Sequence, residues 1–404
     1  MGCKFSGAKD AQEVTSLSEQ DVRIINKIGE LASQVQNSPS PAELQFLLQT
    51  LSNLHTVESA KREEWLATIH NDIINPLYFS MIENFPYSDA NPFIPDQHKL
   101  ETLRNKDFLP FDKSKDELRN CLLHIYSDFI PLFNIDISKL QRFIFALSEN
   151  YNDNPFHNFT HAFAVTQMLF SISERANKLQ AFLEHKDRLA LLVSALGHDL
   201  NHPGVTNAYM INTRHQLAVR YNDISVLENY HASTLIHFLE LSGCDILESL
   251  PLQDRNYMRR QIIPTILATD MAKHFQVIAN FEGVMKNFDR ENADHRQAVM
   301  DGLLHSADVG NPTLRFDIAT VYSLRIIQEF NKQVLTEEQK GLPVSEYLRV
   351  GNDVAGIKKN QLGFIEKLIY PLWKVVATYI PEAQIHIDTI EDNKRRWEEL
   401  ENLD

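Results

Sequence analysis

Only three cysteines, Cys3, Cys121 and Cys244, occur in 404 residues. Thiols so few and so far apart indicate neither a disulfide framework nor a cysteine-ligated zinc site, and they suit a reducing compartment. Glycine is scarce too, at 13 residues, while long segments carry apolar residues at helical spacing, so an almost wholly helical protein is expected. No apolar run approaches the roughly 20 residues of a membrane-spanning helix, and the first residues lack an apolar segment of signal-peptide type. Basic residues are outnumbered, 39 Lys and Arg against 54 Asp and Glu, for a net charge of −15. That balance argues against a general nucleic-acid binder, which gains affinity from excess Lys and Arg. It leaves room for an anionic small substrate where metal ions supply local positive charge. The 43% hydrophobic content supports a sizeable core.

The opening Met1-Gly2-Cys3-Lys4-Phe5-Ser6 fits the N-myristoylation pattern, with Gly2 as acceptor and Cys3 as a palmitoylation site beside it. One acyl chain binds a bilayer only marginally and two hold it, so a peripheral place on the cytoplasmic face of a membrane is expected. Residues 1–17 read as a flexible arm. Ser18 opens a capping box before Val22, Ile24, Ile25, Ile28 and Leu31, and Leu44, Leu47, Leu48 and Leu51 mark a second amphipathic helix. The pair is read either as packing on the main domain or as a regulatory or homodimer-forming extension over 18–95. Pro86, Pro92 and Pro95 place the domain boundary, and 96–404 reads as one catalytic domain. Within it Asp187–Gly197 is apolar nearly all round, as in a central buried helix, and the charged stretch from Ile385 to Leu403 reads as a solvated surface helix.

Histidines and carboxylates then recur in blocks. His157 and His161 are four apart, as are His198 and His202, so on helices each pair would share a face. Asp199 beside His198 has two oxygens and can bridge two ions, and Asp308 follows a hundred residues on. Either pair alone is weak evidence, since buried histidines are often simply hydrogen-bonded. The full set offers nitrogen and oxygen ligands to a divalent metal, and metal-activated water points to a hydrolase. Asn158, Asn201 and Glu228 stand near enough in sequence to orient these groups.

The runs His157-Asn158-Phe159-Thr160-His161, His198-Asp199-Leu200-Asn201-His202-Pro203-Gly204, Val226-Leu227-Glu228-Asn229, Leu267-Ala268-Thr269-Asp270-Met271, His305-Ser306-Ala307-Asp308 and Gln361-Leu362-Gly363-Phe364 together resemble the class I cyclic nucleotide phosphodiesterases. The resemblance implies a compact, all-α, multi-helix catalytic domain of the HD superfamily with two metals, a tight Zn2+ and a looser Mg2+ or Mn2+. It places His161, His198, Asp199 and Asp308 on the zinc, Asp199 also on the second metal, and His202 and Glu228 on its waters. It makes His157 the general acid and Glu329 the carboxylate that orients it. The product would be a 5′-nucleoside monophosphate. The purine would be held by Gln361 and clamped between Phe364 and Ile326, with Asn311 as a further base contact.

Without the resemblance Phe364 would read as core. Residues 154–159 and 217–225 are similar to the high-affinity cGMP branch, whereas Asn311-Pro312-Thr313 is similar to cAMP-selective branches, so both nucleotides stand as expected substrates. Two other readings compete: a different HD-type nucleotide phosphohydrolase, and an inactive scaffold that binds a cyclic nucleotide. The first has no need of a purine clamp at Gln361, and the second has no need of five metal-site residues.

Overall fold

Polar side chains start the helices where the apolar pattern begins. Ser114 and Glu117 cap each other reciprocally, Asp136 accepts from Ser138 N and Lys139 N, and Asn292 accepts from Asp294 N and His295 N. Such caps satisfy backbone N–H groups that have no partner within their own helix. The computed structural model describes residues 93–175, 179–351 and 353–400, and among these there is helix and turn but no strand. Gly2 and Cys3, expected as acylation sites, and almost all of the expected 18–95 extension lie outside the described residues.

Helices of ten or more residues are labelled in chain order: α1 (Lys115–Ile125), α2 (Ile137–Glu149), α3 (Phe159–Arg175), α4 (His185–Gly197), α5 (Val226–Glu240), α6 (Leu252–Leu267), α7 (His274–Met285), α8 (Ala293–Asp308), α9 (Phe316–Gln339), α10 (Val354–Phe364), α11 (Tyr370–Tyr379) and α12 (Gln384–Glu399). α4 is buried from Leu189 to Gly197 and packs against α3, α5, α6 and α8. A helix without a polar face can only sit inside, so α4 is the axis of the bundle. Its C-terminal end therefore opens among the ends of its neighbours.

A satellite core of Val205, Tyr209, Met210, Leu217, Ala218, Val226, Leu227 and Tyr230 supports the segment between α4 and α5. α10 runs into a π-helical turn, Ile365–Ile369, just before Pro371. Proline has no N–H to return to the carbonyl four residues back, and the wider turn absorbs that loss.

The C-terminal helix differs from expectation. α12 buries His386, Ile387, Ile390, Asn393 and Trp397, one side of the helix, and only its other side is solvated. The dense charge of this stretch hides a stripe at three- and four-residue spacing. Asn393 Nδ2 donates to Pro312 O at 2.9 Å and Leu314 O at 2.7 Å, so α12 holds the turn that carries Asn311.

Candidate metal-dependent active site

The histidine pairs do not share helix faces. α3 begins at Phe159, so His157 stands in the loop before it while His161 lies in its first turn. α4 ends at Gly197, with His198 as its cap, and the chain turns through Asp199 to His202. Asn201 takes a φ of +62°, a left-handed conformation that asparagine tolerates better than most residues. Each pair is thus divided between two environments.

In the first environment four side chains from α3, the end of α4 and the end of α8 converge. Asp308 Oδ1 lies 3.0 Å from His161 Nε2 and 3.1 Å from His198 Nε2. Asp199 Oδ2 lies 3.2 Å from His198 Nε2 and 3.5 Å from His161 Nε2. A tetrahedral ion with ligand bonds near 2.0–2.1 Å requires ligand-to-ligand edges of about 3.3 Å, and these four distances bracket that value. His198 Nδ1 faces the Ala195 carbonyl at 2.8 Å. A carbonyl only accepts, so Nδ1 carries a proton and Nε2, facing both carboxylates, is the nitrogen that a metal would take in place of its proton. Asp199 Oδ2 is buried and accepts no hydrogen bond among the described residues.

The electrostatics agree with these distances. Burial disfavours charge on His198, yet Asp199 and Asp308 lift its pKa well above the imidazole range. Burial likewise opposes ionisation of Asp308, and the His198 charge beside it overcomes this and holds the carboxyl down. Two ionised carboxylates in a buried pocket call for positive charge, which a divalent metal supplies, so the donor set fits such an ion.

In the second environment His157 Nδ1 meets Glu329 Oε1 at 2.5 Å, and Glu329 Oε2 accepts from Phe156 N at 3.0 Å and His157 N at 3.2 Å. Glu329 is 2% exposed, so the carboxylate is committed to this loop. Burial disfavours a charged His157, but the Glu329 charge and hydrogen bond, helped by Asp199 and Asp308, raise its pKa to about 9. His202 stacks on His157 with ring centroids 4.0 Å apart, and burial followed by the His157 charge pushes its own pKa well down. Its Nδ1 accepts from Gly204 N at 2.9 Å, so Nε2 carries the proton of the neutral ring and serves as a donor. Asn154 Nδ2 ties the two loops together by donating to His157 O and His202 O.

His231 belongs to the site although no motif reading singled it out. It is buried, its Nδ1 donates to Leu200 O at 2.6 Å, and Nε2 faces Asp199 Oδ1 at 3.8 Å. Burial keeps its pKa at about 4, so the ring is neutral and Nε2 is an acceptor. The signal was its place three residues after Glu228 on α5, which puts both on one helix face. Glu228 itself accepts from Asn207 Nδ2 at 2.9 Å, and burial, with Asp270 nearby, lifts its pKa to about 7. The Tyr230 hydroxyl accepts from Asn201 Nδ2 at 3.0 Å and so steadies the turn between Asp199 and His202. Asn158 caps α3 by accepting from His161 N.

The residues expected to read the base lie elsewhere. Gln361 on α10 is buried, 2.7 Å from Ser323 Oγ on α9, and donates to Asn360 Oδ1 at 3.0 Å. Phe364 follows Gln361 by three positions and Ile326 follows Ser323 by three, and both are half-buried at the edge of the core. Asn311 sits in the turn just after Asp308. Ser323, Ile326 and Glu329 belong to one helix, with about 9 Å of axial rise from first to last.

A buried His/Asp cluster of this kind, at the helix ends of an all-α bundle, is a donor set that could hold a divalent metal ion. The 3′,5′-cyclic nucleotide phosphodiesterase family model matches residues 156–390, more than half of the chain, and the chain belongs to that family. It is 32% identical over 393 residues to the human high affinity cGMP-specific 3′,5′-cyclic phosphodiesterase 9A, an alignment covering 94% of this chain and 66% of that protein. It is 32% identical over 410 residues to the 3′,5′-cyclic-nucleotide phosphodiesterase regA of Dictyostelium discoideum, covering 96% of this chain and 51% of that one. The chain thus spans between half and two thirds of these relatives. The phosphodiesterase domain of the rhodopsin phosphodiesterase of the choanoflagellate Salpingoeca rosetta superposes with a TM-score of 0.71 at 36% identity, over 75% of this chain and 97% of that structure.

Proposed function

We propose that this chain hydrolyses 3′,5′-cyclic nucleotides to 5′-nucleoside monophosphates, with His157 as the proton donor. The observation that carries this reading is the pairing of a carboxylate-backed imidazole, His157 on Glu329, with a four-ligand metal set whose edges suit one ion. His161, His198, Asp199 and Asp308 would hold a zinc ion and Asp199 would also reach a magnesium or manganese ion, and metal bound there would neutralise phosphate charge and lower the pKa of water. The water oxygen gives up one proton to solvent and bonds to phosphorus as the bond from phosphorus to the 3′-oxygen breaks. His157 gives its Nε2 proton to that leaving oxygen, because Glu329 holds the proton on Nδ1. His231 Nε2, a buried acceptor, and His202 Nε2–H, a donor, lie beside Asp199 and would hydrogen-bond to water there. Hydrolysis of cAMP and cGMP by purified protein, with and without a chelator, tests the reading. Chelator-insensitive turnover, or no turnover of either nucleotide, would sink it.

Gln361 holds the purine edge in this reading. Replacing it by alanine strips hydrogen bonds from a buried base, a loss of about 1–3 kcal/mol. KM for both nucleotides should rise roughly fivefold to a hundredfold, and steady-state kinetics will show this. An unchanged KM for both would place the purine elsewhere.

A membrane position is the second part of the proposal, supported by Gly2, Cys3 and Ser6. Among the described residues no helix is long and apolar enough to cross a membrane. Two acyl chains hold a protein at a bilayer where one does not. Gly2→Ala should release the protein to the soluble fraction, Cys3→Ser should give an intermediate distribution, and turnover of soluble substrate should be unaffected in both. Wild-type protein found wholly in the soluble fraction of cells would end the anchoring proposal.

A further inference from the structure

Far from the ligands, a buried charge cluster joins three helices. Asp187 near the start of α4 is fully buried, and so, nearly, is Arg296 near the start of α8. Asp187 Oδ2 lies 2.9 Å from Arg296 Nε and accepts from Glu184 N at the same distance. The Tyr257 hydroxyl on α6 donates to Asp187 Oδ1 at 2.5 Å and accepts from Arg296 Nη2 at 3.0 Å and Gln261 Nε2 at 3.1 Å. A phenol has one donor and two acceptor positions, and all are used here.

α4 and α8 run parallel, since their first turns meet at Asp187 and Arg296 and their last turns meet where His198 Nε2 lies 3.1 Å from Asp308 Oδ1. At about 1.5 Å per residue the cluster sits roughly 16–18 Å from the ligands along both axes. Apolar helix surfaces can pack in more than one axial register, whereas directional hydrogen bonds from one hydroxyl to Asp187 and from Arg296 to that hydroxyl favour a single one. A slide of α8 along α4 by about 1 Å, under one residue's rise, would move Asp308 against His198 by a similar amount, more than the whole spread of the ligand edges. A buried ion pair is also a weak stabiliser, because desolvation offsets its attraction, so stability alone does not explain it.

The geometry points to Asp187, Tyr257 and Arg296 as positioning residues that fix the axial register of α4 against α8 and so set the spacing of His198, Asp199 and Asp308. This rests on the metal reading proposed above and goes beyond it by locating what holds the ligand set in shape. The test replaces all three by apolar residues of similar volume, Asp187→Leu, Tyr257→Phe and Arg296→Met. Such replacement of a buried ionic cluster is often neutral or stabilising.

Zinc retained by the holoprotein is measured against a graded chelator, alongside thermal unfolding and steady-state kinetics. The thermal midpoint should hold while zinc is lost at a chelator concentration about tenfold lower, and kcat should fall with KM little changed. A triple variant that keeps zinc and kcat as the wild type does overturns the assignment. Wild-type protein that retains no zinc overturns the metal reading itself, and the assignment falls with it. Should the triple variant not fold, Tyr257→Phe alone decides by removing one oxygen from the cluster. It should lose zinc at lower chelator than wild type and recover turnover when zinc is added in excess; wild-type zinc retention overturns the assignment.

Discussion

Asp308→Ala and His198→Ala should each abolish cyclic nucleotide hydrolysis and leave the purified protein short of zinc. Asp308 Oδ1 makes two of the four short edges of the ligand set, to His161 and to His198, and His198 Nε2 makes two, to Asp308 and to Asp199. Deleting either side chain leaves three of the four groups, one carboxylate with two imidazoles in Asp308→Ala and two carboxylates with one imidazole in His198→Ala. A metal contributes several kcal/mol of charge stabilisation to phosphoryl transfer, so the loss in turnover should reach roughly a thousandfold or more. Metal analysis beside an activity assay checks both halves. A variant with full zinc and normal turnover would remove that residue from the site.

His157→Ala should separate metal from chemistry. The side chain bonds to Glu329 and stacks on His202, and it makes no edge of the four-ligand set, so zinc should stay. Turnover should fall about 10²–10⁴-fold, the usual contribution of a placed proton donor. A substrate analogue with a leaving group that needs no proton should recover part of the rate. Loss of zinc in this variant would show that the role is wrongly assigned.

Glu329→Gln adds a pH readout to the same test. With the carboxylate present the imidazole stays protonated up to about 9, so the active form is available below that pH and is lost as pH rises through it. Removing the charge lets burial dominate. The alkaline decline of kcat/KM should therefore move to lower pH. An unmoved decline would mean that some other group sets it.

What the sequence discloses follows the physics of each part. Histidines and aspartates in blocks mark out a candidate donor set, but it took the family resemblance to single out His161, His198, Asp199 and Asp308, the four that the fold brings together. The all-helical fold follows from apolar spacing, and α4 is legible because it has no polar face. Elsewhere spacing misleads. Two histidines four apart suggest a shared helix face, but α3 starts after His157 and α4 stops before His202. His231 looks like any core histidine until Asp199 is seen opposite its ring. The burial of α12 is masked by its charges. The Asp187–Arg296 pair is silent in the sequence because nothing local marks two residues from separate helices as partners.

The turn at Gly204 has a consequence for protein engineering. Its φ is +66°, which favours glycine, and a Cβ placed there would stand 2.7 Å from Asn154 Oδ1 and 3.4 Å from the Glu329 carboxyl carbon. Asn154 also bonds the backbones of His157 and His202. The 154–158 and 198–204 segments are therefore one cassette, interlocked through a position that admits no side chain. A chimaera that exchanges one of them with a relative and keeps the other risks a mismatch at His157, and grafts into this scaffold should carry the two segments together.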